Sequence, residues 1–256
     1  MLELYHWEPN IFFLKPLVAL AEKGTAYTAR YFDPTQFEPI AVNTEALLKL
    51  EREGPVLVHD GAIISSSFFL LEYIAEALPG PPLLPADPYG RYQAHVWGQL
   101  IALSLAGPVT ALGCARYLAP VLRSRPLQPL QHQIARIEPL ERRAAWAALL
   151  EGDQAAAVAA ARSQLARPIA RIEAALANAP WLAGADYSIA DIDAFAMLST
   201  LPGLAPDLVS QSTSPNIMAF LQRVQSRPAV RAALALSRTG RPEQAFVPGP
   251  EASRWG

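Results

Sequence analysis

The stretch "PGPPLLPADP", Pro79 to Pro88, divides the chain into two parts of different texture. Five of its ten residues are proline. Each proline removes a backbone donor and fixes φ, so the stretch suits neither helix nor sheet, and 79–88 reads as a linker. On its N-terminal side, residues 1–78 mix short β-type runs with helical ones. "LELYHW" (Leu2–Trp7) predicts a strand. Leu14 to Lys23 predicts a helix, with Pro16 in its first turn and Gly24 just past its end. "AYTARYF" (Ala26–Phe32) alternates as a second strand would. "PVLVHDGAII" (Pro55–Ile64) is a hairpin, two β-rich runs around the turn dipeptide Asp60–Gly61. "SSFFLLEYIAEAL" (Ser66–Leu78) returns to helix. The order is β-α-β followed by β-β-α, an α/β domain.

Beyond the linker, residues 89–240 read as all-helical. Ala, Leu, Arg and Gln dominate from Tyr89 to Ala177, with breaks at "RSRPLQP" (Arg123–Pro129) and Gly152. The Ala-rich "AAAVAAARSQLA" (Ala155–Ala166) is a tightly packed helix, with Val158 and Leu165 on one face. In "YSIADIDAFAML" (Tyr187–Leu198), Ser188 and Asp191 have the spacing of a capping box, and Tyr187 and Ile192 that of its hydrophobic staple. This favours a cap over a catalytic carboxylate at Asp191 or Asp193. The tail, 241–256, is rich in Pro and Gly and reads as irregular.

Hydrophobic residues make up 52% of the chain, enough for a substantial core. The 21 basic and 23 acidic side chains leave a formal charge of −2, with no basic cluster, which argues against nucleic acid as a partner. The single cysteine, Cys114, excludes an internal disulfide, suits a reducing compartment and reads as a small buried hydrophobe. Metal-ligand spacing is absent. "MLELYHWEPN" has neither the basic nor the apolar region of a signal peptide, so the expected location is cytoplasmic. The longest charge-free stretch, Gln93 to Ala115, contains Gln99, Ser104, Thr110 and Pro108. It predicts a buried helix broken near Gly107–Pro108 rather than a membrane span.

The segments "LKPLVALAEKG", "FDPTQF", "HDG", "LLPADPYGR", "WAALLEG" and "WLAGADYSIADI" occur here in an order and spacing that resemble the glutathione S-transferases. They resemble most of all the bacterial branch of glutathione-dependent β-etherases, which cleave β-aryl ether bonds in lignin-derived diaromatics. The resemblance implies a thioredoxin-like glutathione domain, an all-α domain for the hydrophobic substrate, and a dimer. It also implies a chemistry. Glutathione's thiol, with an ordinary pKa near ~8.5, is mostly protonated at neutral pH. A Ser, Tyr, Cys or Asn at the start of the first helix stabilises the thiolate, which then displaces an aryloxide.

Carried onto this sequence, the resemblance places Phe12 and Phe13 where the thiol-activating residues would stand, and neither can donate a hydrogen bond. They read instead as an apolar cover or core, and Asn10 is the nearby candidate donor. Pro55 falls at the family's cis proline, preceded by Gly54, whose N–H and carbonyl remain available for a backbone contact. The loop approaching that proline is altered to "KLERE" (Lys49–Glu53). Ser67 matches the serine of the γ-glutamyl site, while Ser66 replaces its acidic partner, and Ser65–Ser67 can also serve as a helix N-cap. His6 and Trp7 end the first strand near this site, and a lone His there is more often structural than a base. His95, Trp97 and Tyr117 fall on helices that flank the family's hydrophobic substrate site. Arg116, Arg142 and Arg143 read as solvated or interface charges.

Three parts of the glutathione site thus depart from the pattern. The expected function is a non-catalytic subunit with a degenerate, weakly binding glutathione site, paired as a heterodimer with a related catalytic chain. A homodimer remains open when the chain is expressed alone. The alternative is an active transferase or β-etherase that uses Asn10 or a backbone N–H, and a distant one is a stand-alone binding protein for hydrophobic aromatics. Neither a metal nor a membrane enters any of these readings.

Overall fold

A computed structural model describes residues 1–37, 54–137 and 140–249. The N-terminal half is a four-stranded sheet in the order β2-β1-β3-β4, formed by β1 (Leu2–His6), β2 (Thr28–Tyr31), β3 (Val56–His59) and β4 (Ala62–Ile64). β1 runs parallel to β2, with Leu4 opposite Ala29, and antiparallel to β3, with Leu4 opposite Leu57. The parallel pair requires a crossover, which α1 (Ile11–Lys23) supplies. The β3–β4 hairpin turns at Asp60 (φ 49°) and Gly61 (φ 87°), the paired positive φ of a two-residue turn. α2 (Ser67–Ala77) follows.

Helix α1 is the centre of the molecule. Every residue from Ile11 to Leu20 is buried, as expected of a helix apolar on all sides. It packs against α2 within its own half and, in the helical half, against α9 (Ile189–Leu198) and α12 (Pro228–Leu234). The helix starts three residues earlier than the sequence predicts. Asn10 takes an extended conformation, and its carbonyl accepts from Phe13 N (3.0 Å) and Leu14 N (3.3 Å), so the first turn is already closed at Ile11. Pro16 therefore lies inside the helix rather than in its first turn, where it forgoes the bond to the carbonyl of Phe12. Gly24 caps the end at φ 67°.

Between the halves, Gly80 (φ 123°) lies so close to Lys23 that a Cβ would fall 2.3 Å from its carbonyl oxygen, which only glycine permits. Pro88 opens a helix rather than closing the linker. The Asp87 side chain accepts from Gly90 N (2.8 Å) to cap α3 (Pro88–Ser104). α4 (Ala106–Gly113) continues after a break at Leu105, a little before the predicted one, because Pro108 cannot donate to the carbonyl one turn back. A π-helical turn, Cys114–Leu118, leads into α5 (Ala119–Arg123), and 88–104 and 106–123 meet at 42°. Among the described residues no single helix is long and apolar enough to cross a membrane.

α6 (Leu127–Ala135) and α7 (Leu140–Ala148) precede the long α8 (Ala155–Leu176), whose buried positions Ala161, Leu165, Pro168, Ile169, Ile172 and Leu176 form one stripe. Val158 is half-buried at its end. α9 is buried along its whole length, and its capping box is formed. Asp191 accepts from Ser188 N and Leu182 N (both 2.9 Å), and Ser188 Oγ accepts from Ala190 N (3.3 Å). Burial pushes the Asp191 carboxyl up to about 6, against the pull of these hydrogen bonds. α10 (Leu201–Leu204), α11 (Pro215–Gln225) and α12 complete the helices.

Among the described residues, the segment after α12 forms no α-helix or strand, yet part of it is packed into the core. Pro242–Gln244 is a 3-10 turn, and Ala245, Phe246 and Val247 are buried. An aromatic–aliphatic triplet flanked by prolines, lacking hydrophobic periodicity, gives no helix or strand signal. Its burial comes from the surface it meets.

Candidate functional site

The corner between β1 and α1 is closed rather than open. Phe12 and Phe13 are core residues: Phe13 crosses edge-on against Trp7 and Phe32, with centroids 6.1 and 5.7 Å away. Ile11 holds φ at 37°, rare for a β-branched residue and a local strain on the order of 1–3 kcal/mol. Asn10 is also buried, and its amide donates to the carbonyl of Ala245 (3.0 Å). Asn10, the donor expected at this corner, thus directs one of its two amide N–H groups at the protein's own tail.

Glu8 anchors that tail. Its carboxylate is fully buried and accepts from Tyr31 Oη (2.8 Å), Ser237 Oγ (2.5 Å), Arg238 N (3.0 Å), Thr239 N (3.3 Å) and Thr239 Oγ1 (2.9 Å). Burial alone would raise the carboxyl, but these donors overcome it and hold Glu8 below its ordinary value. Arg238 stacks over the Tyr31 ring at 3.9 Å. Further on, Phe246 lies on Tyr117, and Gly249 sits against the Phe12 ring, where a Cβ would come within 2.5 Å.

The γ-glutamyl part of the expected site is occupied internally as well. Ser66 stands at the N-cap position of α2, but at φ 68° and ψ 119° its side chain makes no capping bond, contrary to the sequence expectation. Ser67 is the first helical residue, and its Oγ accepts from Lys15 Nζ (3.2 Å). The same ammonium lies 2.5 Å from Asp193 Oδ1 on α9, so a buried ion pair joins the two halves behind Ser67. Burial raises the Asp193 carboxyl, and Lys15 opposes that rise. The Gly54–Pro55 bond is trans, correcting the match to a cis proline: no cis peptide bond occurs among the described residues, and trans is the intrinsic preference of an X–Pro bond without local support for cis. The altered "KLERE" loop lies outside the described residues.

The remaining candidates do not converge on this corner as a catalytic set. His6 is buried with Nδ1 2.7 Å from Trp7 O, and burial lowers its pKa, which suits a neutral structural imidazole. His95 is exposed on α3 and paired with Glu72 (2.5 Å), while Trp97 is buried beneath the Arg171 guanidinium. Cys114 is buried. Arg116 stands over the Tyr117 ring, and Arg143 Nε donates to Ile137 O (2.9 Å). Arg142, expected to be a solvated or interface charge, is buried, because it shares the inward face of α7 with Trp146 one turn away. A cleft of about 410 Å³ between the start of α3 and residues 179–186, with Asp87 and Asp186 on its walls, belongs to a different region. No group of His, Cys, Asp and Glu suited to a metal occurs among the described residues.

Sequence reasoning missed Lys15, Glu8 and Phe246. Lys15 carried a usable signal: a cation inside a wholly apolar helix demands a buried partner. Glu8 and Phe246 carried none, since the Ser237–Thr239 partners of Glu8 lie more than two hundred residues away and the Tyr117 and Gly113 surface under Phe246 more than a hundred.

The sheet with its crossover helix, followed by the helical half, defines a class. The chain belongs to the glutathione S-transferase family: the family's N-terminal domain matches residues 1–76 and its C-terminal domain residues 133–228, together about two thirds of the chain. It is 29% identical over 238 residues to Protein LigF of Sphingobium sp. (strain NBRC 103272 / SYK-6), covering 90% of this chain and 91% of that one. The crystal structure of the β-etherase LigF from Sphingobium sp. strain SYK-6 matches with a TM-score of 0.84 at 27% identity, over 92% of this chain and 99% of that chain. Glutathione S-transferase U26 of Arabidopsis thaliana is 36% identical over 99 residues, 38% of this chain and 43% of its own length. Glutathione transferase F7 from Populus trichocarpa shares the fold, with a TM-score of 0.70 at 20% identity over 92% of this chain and 98% of that chain.

Proposed function

We propose that this chain is the non-catalytic subunit of a glutathione-dependent β-etherase, a cytoplasmic heterodimer with a related catalytic chain that cleaves β-aryl ether bonds of lignin-derived aromatics. The observation that carries this reading is the closed corner: Phe12 and Phe13 are core, and the Asn10 amide is bound to Ala245. That bond also counts against the alternative of an active enzyme using Asn10. The similarity to LigF supports the β-etherase class. Exposed apolar groups support pairing: Tyr92, Leu103 and the polar His95 and Gln99 share one face of α3, and Phe69 is exposed on α2, whose Phe68 packs into Gly98 of α3. The lone cysteine suits a reducing cytoplasm.

In this reading glutathione binds the isolated chain weakly or not at all. Replacing the acidic anchor by Ser66 removes a charged hydrogen bond worth ~1.5–3 kcal/mol, ten-fold or more in affinity. Isothermal titration of the chain with glutathione is expected to give millimolar binding or none, and a micromolar dissociation constant would contradict the degenerate site. Co-expression with a related transferase chain that retains Ser or Asn at the helix start is expected to give a co-purifying pair with ether-cleaving activity. A pair that never co-purifies, or robust cleavage by this chain alone, sinks the subunit reading.

A further inference from the structure

The cleft between the start of α3 and residues 179–186 shares no residue with the β1–α1 corner, and both of its walls are fixed from behind. On one wall Pro85 and Pro88 restrict the backbone, Arg91 Nε donates to Pro85 O (2.9 Å), and Asp87 Oδ1 accepts from Gly90 N (2.8 Å). On the other, Leu182 N donates to the buried Asp191 carboxylate (2.9 Å). Gly184 N donates to Trp181 O (3.3 Å) across a turn that holds Gly184 at φ 126°. Ile189 N donates to Leu83 O (2.8 Å), which ties the linker to the start of α9 and so one wall to the other. The cleft is therefore preformed, and its volume of about 410 Å³ falls in the range of small-molecule sites.

The lining carries one sign of charge. Asp87 and Asp186 stand on different walls, and among the described residues no Lys, Arg or His lines the cleft. The helix cap occupies Asp87 Oδ1 and leaves Oδ2 free, and the Asp186 carboxylate takes no hydrogen bond from the described residues. The positive end of α3 is already met by that cap, so it does not repel a cation at Oδ2. Pro85, Leu182 and Ala183 add apolar surface, and Tyr89, 69% exposed, adds a ring face. Two carboxylates are a poor cage for a bare metal ion, which takes six or more oxygens, whereas an organic cation uses the apolar surface as well. We propose that the cleft binds a short aliphatic diammonium ion, with one ammonium at Asp87, the other at Asp186, and the carbon chain against Pro85 and Leu182. The Tyr89 ring face supplies a further attraction for an ammonium. The proposal goes beyond the subunit reading and stands apart from it: it concerns this chain alone, without glutathione or partner.

The test is an NMR titration of the full, nitrogen-15-labelled chain with 1,4-diaminobutane at neutral pH, read at the Gly90 and Gly184 amides. Both signals are expected to shift and saturate, with a midpoint of ~1–5 mM at low ionic strength and a weaker one in added salt. Asp87→Asn keeps a good helix cap, and Asp186→Asn keeps the shape of an exposed side chain, so each removes a charge from a chain expected to melt as the wild type does. Each is expected to raise the midpoint about three- to five-fold. Butylamine, with one ammonium, is expected to bind the wild type as weakly as the diamine binds either variant, and 1,4-butanediol is expected not to bind. Shifts that fail to saturate below ~20 mM, or that scatter over other acidic side chains instead of the cleft, overturn the proposal. So does either variant binding the diamine as the wild type does, or butylamine or butanediol binding as tightly as the diamine.

Discussion

Replacing Lys15 with methionine is expected to cost this protein a large part of its stability, and the structure supplies the size. Lys15 Nζ lies 2.5 Å from Asp193 Oδ1, and both residues are almost wholly excluded from solvent. Methionine preserves the stem of the side chain and its packing but leaves a buried carboxylate without a counter-charge, for which ~3–5 kcal/mol is typical. Against a total stability on the order of 5–15 kcal/mol that loss is severe. Replacing both partners, as Lys15→Met with Asp193→Leu, removes the desolvation cost together with the attraction, and is expected to return most of the loss or exceed the wild type. Urea unfolding of wild type, both single variants and the double variant at pH 7 closes the cycle. A pH series adds a sign. Burial raises Asp193 above its ordinary 3.8, so the folded chain binds more protons than the unfolded one, and the deficit of Lys15→Met is expected to shrink as pH falls from 7 toward that value. A single variant that loses under about 1 kcal/mol, or a double variant no better than Lys15→Met, would refute the assignment of a buried pair that locks the two halves together.

Three further outcomes are expected. Phe12→Asn places an amide in the apolar corner beneath Gly249, so it lowers the melting temperature and yields no ether cleavage with glutathione; sustained turnover would mean that the corner is a working site. Glu8→Gln weakens the clamp on the tail, and hydrogen exchange in 237–249 is expected to accelerate while the sheet stays protected; because the Glu8 carboxyl is held below its ordinary 4.5, the clamp's contribution is full above that pH and lost as pH falls below it, so acid is expected to loosen the same segment in the wild type. Gly98→Ala drives a Cβ to 1.9 Å from the Phe68 ring and is expected to destabilise the α2–α3 seam by ~1–3 kcal/mol in thermal unfolding; an unchanged melt would show that Phe68 has room to move.

Much of the fold was legible because it is written locally. The proline cluster at 79–88, the alternation in the strands, the Asp60–Gly61 turn and the Ser188–Asp191 box act over a few residues, so propensity and spacing fix them. The identities on which the proposed function rests, Phe12, Phe13 and Ser66, were equally legible, since identity at a position requires no coordinates. What the sequence could not supply was where long-range partners fall. The early start of α1 depends on the Asn10 carbonyl being free to close the first turn, and whether Gly54–Pro55 meets the local support that a cis bond needs is something no spacing reports. Lys15 advertised a buried partner, but only the packing of α1 against α9 selects Asp193. The tail shows the limit most clearly. Its composition reads as irregular, yet Phe246 is buried, because a glycine floor and an aromatic wall more than a hundred residues earlier in the chain offer a surface of its own shape, and burial is decided by complementarity across the fold rather than by periodicity along the chain.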